Sequence, residues 1–311
     1  MNDATAQQAL KLWGMQNASL TLIAQRENIV YRVTTSKNHQ SWALRLHRQG
    51  LRSNIELQSE AQWMQALSHG GLSVPIPVES RNKQLCEKVD DQWVDLQVWL
   101  AGDTLAQHHT CEYLRGLGVA MALLHTLSDN WKPPLSFTRP SWNHEGLVGP
   151  SPVWGEFWKN PALDKEQKLL LSLFRTKASH ALNDLENTLD YGLIHADLVS
   201  DNVLVDGENL HLIDFDDSGF GYRLFDLATV ILRLRRETDS EALISAVIDG
   251  YSAKRDLDID ALNLFLALRA CTYVGWIIPR MNESQSAERC SRFIKTACEH
   301  VDKWLFDYPE R

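Results

Sequence analysis

A chain of 311 residues, 44% of them apolar, can bury a sizeable core, and its length favours two lobes over one domain. The net charge of −9 argues against non-specific nucleic-acid binding, which needs a basic face; it is compatible with cationic or neutral small substrates, or serves solubility alone. The five cysteines form no CxxC pair and are odd in number, which excludes a disulfide framework and leads to the expectation of a reducing, cytoplasmic compartment. The opening residues show no basic stretch followed by an apolar one, so no signal peptide is expected.

Residues 5–16 read as a helix. Residues 19–35 read as two strands around a polar turn, and 41–48 alternate as a third, with Trp42, Leu44 and Leu46 on one face and Ala43, Arg45 and His47 on the other. Residues 54–71 have helical spacing and end in glycine. "QLCEKV" and "QWVDLQVWL" follow as two more strands. The first hundred residues thus read as an antiparallel sheet with one helix inserted after its third strand. Beyond "LAGD" at 100–103 the texture turns helical, beginning with 111–128. Residues 132–161 hold six of the ten prolines and several tryptophans, which rules out a regular helix or a central strand there. That segment is either ordered by its aromatics or a mobile lid. Further helices are expected at about 164–189, 223–236, 239–253, 258–281 and 285–305. The apolar run at 261–279 is interrupted by Asn263 and Arg269, which marks a buried helix and no membrane span.

"LIHADLVSDNVLVDGENLHLIDFD" at 193–216 carries the chemistry. Asp-Gly between two apolar runs signals a hairpin. Asp197 and Asn202 lie on the loop leading in, and Asp214 lies where the second strand ends. A hairpin brings its outer ends together, so the three should converge. Two carboxylates and an amide oxygen suit a hard cation such as Mg²⁺, and magnesium suits phosphate. In phosphoryl transfer to an alcohol, one aspartate orients the hydroxyl and takes its proton, while an asparagine and a second aspartate hold the metal. Asp197 would be the base, with Asn202 and Asp214 the ligands. The bland alternative is a polar surface hairpin, since Asp and Asn favour turns.

"HADLVSDN" fits the H-x-D-x-x-x-x-N loop shared by protein kinases and by the aminoglycoside phosphotransferase and choline kinase superfamily. "LIDFDDSGFGYRLFDLA" at 212–228 resembles the second group, with Asp214-Phe215-Asp216 where protein kinases carry Asp-Phe-Gly. "ENIVYRV" at 27–33 resembles that family's nucleotide hairpin, and "LGVAMALLH" at 117–125 its central helix. "SWNHEGLVGPSPVWGEFW" resembles a branch of homoserine-kinase-like and stress-response Ser/Thr kinases. The resemblance implies an α+β, bilobal, protein-kinase-like fold. Residues 1–99 would form a nucleotide-binding lobe of antiparallel sheet plus one helix, and 100–311 a larger helical lobe with the catalytic loop and acceptor site. It implies ATP and Mg²⁺ as cofactors. It gives His195 a role bracing the loop and Asp226 a role bracing backbone. It puts Arg45 where the family has a phosphate-contacting lysine, with Glu60 as its partner, a departure because a planar guanidinium differs from a point-like ammonium. An exposed Arg–Glu pair without a ligand role is the alternative.

No G-x-G-x-x-G is present, so Glu27 and Asn28 are the candidates for the phosphate-cradling turn, where asparagine tolerates the left-handed conformation. A plain hairpin turn would look the same. Position relative to Gly102 nominates the Val98 carbonyl and the Leu100 amide for adenine. For the acceptor, candidates are the Pro/Trp-rich segment, Asp217, and a helix face carrying Tyr273, Trp276 and Arg280. Trp276 and Arg280 share that face four residues apart, which equally suits a core aromatic with a capping arginine. The favoured acceptor is a small hydroxylated metabolite such as an amino alcohol, homoserine or an aminoglycoside. The alternatives are serine or threonine on a protein, or a nucleotide-binding pseudokinase module. No nucleic-acid or membrane partner is expected.

Overall fold

The computed structural model describes residues 2–35 and 40–308. The chain opens with α1 (Asn2–Ala9), which tightens into a 3-10 turn at Leu10–Trp13 and stops at Gly14 in the left-handed conformation; this ends it sooner than the 5–16 spacing implies. β1 (Ser19–Gln25), β2 (Ile29–Thr34) and β3 (Ser41–Leu46) follow. α2 (Asn54–His69) starts in a capping box: Ser53 Oγ accepts from Glu56 N, and Glu56 Oε2 accepts from Ser53 N. β4 (Cys86–Val89), β5 (Gln92–Val98), the two-residue β6 (Asp103–Thr104) and α3 (Cys111–Asn130) come next.

The Pro-rich stretch holds only β7 (Ser141–Trp142), α4 (His144–Val148) and a 3-10 turn at Phe157–Lys159. Its Trp142, Phe157 and Trp158 are buried, so aromatic burial orders it. The remainder is α5 (Lys165–Asp184), β8 (Tyr191–Ile194), β9 (Val203–Asp206), β10 (Asn209–Leu212), β11 (Gly219–Tyr222), α6 (Arg223–Leu234), α7 (Ser240–Ser252), α8 (Leu262–Trp276) and α9 (Ser286–Asp307). The class is α+β, as the sequence implies.

Two compact units divide the chain discontinuously. The first comprises Met1–His108, Thr126–Arg139 and Asp201–Asp216; the second comprises His109–His125, Pro140–Ser200 and Asp217–Arg311. In the first unit the sheet runs β1-β2-β3-β5-β4, antiparallel throughout. Strand alternation puts Trp42, Leu44 and Leu46 of β3 into a core with Tyr31, Val33, Val94, Leu96, Leu10 and Trp13. Arg45 and His47 point to the other face, where α2 packs. Trp63 of α2 is fully buried, its indole N–H donating to Ser128 Oγ and its ring edge-on to Phe215. The β9–β10 hairpin turns at Gly207 (φ +60°), and β6 adds to its other edge.

In the second unit β7, β11 and β8 form a small sheet with β11 in the centre. α8 packs on α6 and α9. Leu262–Arg280 is long and apolar enough to cross a membrane, yet 72% of that window is buried inside the fold. A core helix shows that burial because its apolar surface is already removed from water.

Gly102 sets how closely the chain can pass the hairpin. Its φ is +133°, and a Cβ there would stand 2.6 Å from the Val205 carbonyl oxygen. Gly102→Ala should therefore lower unfolding free energy by roughly 2 kcal/mol or more, because strain and clash add. Urea unfolding checks it; an unchanged midpoint would contradict the packing.

Candidate active site

In the first unit, Arg45 is the hub of a buried ionic network. Its Nη2 donates to Glu60 Oε1 at 2.8 Å and to Asp95 Oδ2 at 2.7 Å, its Nε to Asp95 Oδ1 at 3.1 Å, and its Nη1 to Asp216 Oδ1 at 3.0 Å. His47 Nε2 sits 2.6 Å from Asp95 Oδ2. Arg139 closes the network from another stretch of chain: Nη1 donates to Glu60 Oε2 at 3.2 Å, and Nη2 to the Phe215 and Asp216 carbonyls at 2.9 and 2.7 Å. The Arg45–Glu60 pair is thus buried, with Glu60's side chain 1% exposed.

Burial opposes charge on Glu60 and Asp95, but the facing cations outweigh it. Asp95 is held at about 2, and Glu60 below the usual carboxylate range. Burial likewise disfavours the Arg45 cation, and Asp95, Glu60 and Asp216 reverse that effect, raising its pKa well above the ordinary value.

The nucleotide-turn candidates reach the same network. Asn28 Nδ2 donates to Asp216 Oδ2, and Asn28 Oδ1 accepts from Arg48 N at 3.4 Å. Glu27 pairs with Arg48 at 3.2 Å. Val98 N donates to Ile76 O and Trp99 N to Ser41 O, leaving Val98 and Leu100 half-buried at the end of β5. Asn202 and Asp214 lie at one end of the β9–β10 hairpin: Ile213 N donates to Asn202 O at 2.9 Å, and Asp214 is exposed with φ +65°. Four residues separate Asp197 from Asn202 along the chain.

In the second unit, the strained turn before Asp197 is held by Asp226. Ala196 sits at φ +65°, a costly conformation for a residue with a Cβ. Asp226 Oδ2 accepts from His195 N at 2.8 Å and Oδ1 from Ala196 N at 2.7 Å. His195 is fully buried, and Asp197 N lies 3.4 Å from its Nδ1. Asp226 is braced in turn by His125 Nε2 at 3.2 Å, whose Nδ1 lies 2.8 Å from Tyr251 Oη. Burial lowers the His125 pKa to about 4 despite Asp226. The neutral ring then donates from Nε2 to the carboxylate and accepts from the tyrosine. Burial raises Asp226, but the His125 hydrogen bond and the backbone N–H groups leave it below the ordinary value.

Asp197 itself is gripped by Arg269. Arg269 Nη2 donates to Asp197 Oδ1 at 2.5 Å and to Tyr273 Oη at 2.8 Å, and its side chain is wholly buried. Its guanidinium lies 4.5 Å from the Trp154 ring and 4.3 Å from Tyr273. Trp154 Nε1 donates to Asp217 Oδ1 at 3.1 Å. Trp154 also meets Trp276, tying the Pro-rich segment to α8. Arg280 caps α8, with Nη1 donating to Trp276 O at 2.7 Å and its guanidinium 4.0 Å from that ring. The structure therefore collects Asp197, Asp217, Tyr273 and Trp276 around Trp154 and Arg269.

Arg269, Asp95 and Arg139 escape a motif reading, and Trp154 is legible only as part of the Pro/Trp-rich segment. Arg269 was visible only as the charge breaking an apolar run, and Asp95 only as the acid within "QWVDLQV". Register places Asp95 directly opposite Arg45.

A profile of the phosphotransferase enzyme family matches residues 19–263. The chain is 24% identical over 298 residues to amicoumacin kinase of Bacillus subtilis, spanning 86% of this chain and 82% of that protein. It is 29% identical over 218 residues to homoserine kinase of Neisseria meningitidis, spanning 68% and 67%. Among solved structures it is similar to a microcompartment-associated aminopropanol kinase, with TM-score 0.86, 28% identity and 98% of each chain covered. The fold is protein-kinase-like.

Two outcomes follow. Arg45→Lys removes the fork that serves three carboxylates and should lower stability by about 2–4 kcal/mol in urea unfolding; an unchanged midpoint would show that an ammonium satisfies the network. The unfolded chain binds a proton at His125 near pH 6.5, whereas the folded chain resists it to about 4, so stability is full above 6.5 and falls as pH drops toward 4. His300, lowered to about 4 by burial and nearby cations, adds to the same window. His125→Gln should flatten the pH dependence of the unfolding free energy across that window by about 3 kcal/mol, read by urea unfolding at several pH values; a slope equal to wild type would refute the assignment.

Proposed function

Since the chain belongs to the phosphotransferase enzyme family, we propose that it moves the γ-phosphate of ATP onto the hydroxyl of a small molecule. The observation that carries the reading is the braced catalytic loop. Asp226 holds two consecutive amides so that Asp197 follows a strained turn, and Asn202 and Asp214 share one end of the next hairpin.

The donor set of one amide oxygen and one exposed carboxylate fits a hard divalent cation that keeps several waters. Mg²⁺ held by Asn202 and Asp214 would neutralise phosphate charge when bound. Asn28, Glu27 and Arg45 would line the phosphate side, and the Val98 carbonyl and Leu100 amide would receive adenine. Asp197 orients the acceptor hydroxyl and takes its proton as the oxygen bonds to the γ-phosphorus; the bond from that phosphorus to the β–γ bridging oxygen breaks, and ADP leaves. Arg269 fixes the Asp197 rotamer. The named kinases of amicoumacin, homoserine and aminopropanol support a small hydroxylated metabolite as acceptor. Five free thiols fit a cytoplasmic setting.

Asp197→Ala should reduce acceptor-dependent ADP release by about 10²–10⁴-fold, and Asp214→Asn should abolish it with the circular dichroism spectrum unchanged. Wild-type rates in either folded variant would overturn the assignment.

A further inference from the structure

Aromatic rings beside a phosphotransferase acceptor site can serve as a cage for an ammonium group, because the ring face is electron-rich. Here those faces are already covered by the chain's own cations. Arg269 lies over Trp154 and Tyr273, Arg233 lies 5.2 Å from Tyr273, and Arg280 lies over Trp276. Phe293 stacks on Tyr273 at 5.2 Å and carries Arg292 at 5.6 Å. The carboxylates nominated for this region are engaged as well: Asp197 by Arg269, and Asp217 by the Trp154 indole. A cationic acceptor approaching these rings would meet guanidinium groups.

We infer that the acceptor carries an anionic group, a carboxylate or a phosphate ester, beside its hydroxyl, and that Arg233 and Arg236 receive it. This deepens the kinase reading above and rests on it. Arg233 shares the Tyr273 ring with Arg269, which holds Asp197, so two side chains, Tyr273 and Arg269, link Arg233 to the group that would orient the hydroxyl. Arg236 follows on the same stretch and is exposed. Burial, then the charges of Arg233 and Arg292, lower its pKa; this like-charge crowding is relieved when an anion docks. A guanidinium recognises carboxylate or phosphate with two parallel hydrogen bonds. The concentration of cations contrasts with a chain whose net charge is −9. It also separates this chain's acceptor from the amino alcohols, with which its acidic composition is merely compatible.

The test uses matched pairs with the full-length protein: glycolate against ethanolamine, and hydroxypropionate against aminopropanol, with glycerol phosphate as the phosphate arm. Binding is read by thermal shift with Mg²⁺ and ADP present, and turnover by ADP release with Mg²⁺ and ATP. The anions should raise Tm at concentrations where their amine counterparts do not. Arg236→Met and Arg233→Met should raise the anion concentration at half-effect by at least about tenfold, with the Arg233→Lys variant recovering part of the loss. Preference for glycerol phosphate over both carboxylates would assign the phosphate source. Stabilisation by ethanolamine or aminopropanol in place of the anions would overturn the inference, as would anion binding indifferent to both methionine variants, or no anion binding at all. Anion binding without any ADP release would instead count against the kinase reading and leave the anionic site standing.

Discussion

A charge taken out of water must find its partners inside the protein, and the first unit is organised around that constraint. Arg45 stands on the middle strand of the sheet with its side chain almost wholly covered. Glu60 on α2, Asp95 on β5 and Asp216 past the hairpin all turn toward it. Arg139 then supplies the second cation that three carboxylates require. Removing any one member would strand a buried charge, a cost of several kcal/mol. Segments far apart in the chain are thereby locked into one arrangement. Apolar packing alone would fix them less tightly, because hydrophobic contact has no direction.

The second unit applies the same constraint to a backbone. Ala196 would leave its left-handed conformation if nothing held it, and Asp226 holds it through two amides. The carboxylate stays ionised in a fully buried place because His125 donates to it and Tyr251 fixes the histidine tautomer. Arg269 is the counterpart at Asp197. Its fork is stacked between rings, which replace water around the flat faces of a weakly hydrated ion, while its edge serves Asp197 and Tyr273.

What could be read from the sequence was what is local. The Asp-Gly turn, the spacing from His195 to Asn202 and the alternation of β3 each depend on neighbours a few residues away. The β9–β10 hairpin forms as that pattern requires. The partners were less legible because they are not local. Arg139 comes from a Pro-rich stretch with no periodicity to read, and nothing in "TRPSW" announces that its guanidinium will meet Glu60. The Pro/Trp segment left two readings open because composition reports aromatics without reporting whether they find a core. Burial of Trp142, Phe157 and Trp158 answers that. Trp276 and Arg280 do not share a helix face as their spacing implies, because α8 ends at Trp276; Arg280 lies in the turn beyond and caps the helix through the Trp276 carbonyl.

Arginine at a position where the family resemblance leads one to expect lysine has a geometric rationale here. A lysine presents one tetrahedral ammonium, and three carboxylates converging from three elements would crowd a single point. The guanidinium spreads its donors: Nε serves Asp95, Nη1 serves Asp216, and Nη2 spans Glu60 and Asp95. Glu60 and Asp95 are almost inaccessible, with side chains 1% and 5% exposed, whereas Asp216 is 19% exposed. The side of Arg45 nearest to solvent is therefore its Nη1 side. Nη1 carries two N–H groups and Asp216 takes one, while the other oxygen of that carboxylate accepts from Asn28 in the turn between β1 and β2. The most exposed carboxylate of the network is thus also the one that ties it to that turn, at the side where Arg45 comes nearest to solvent.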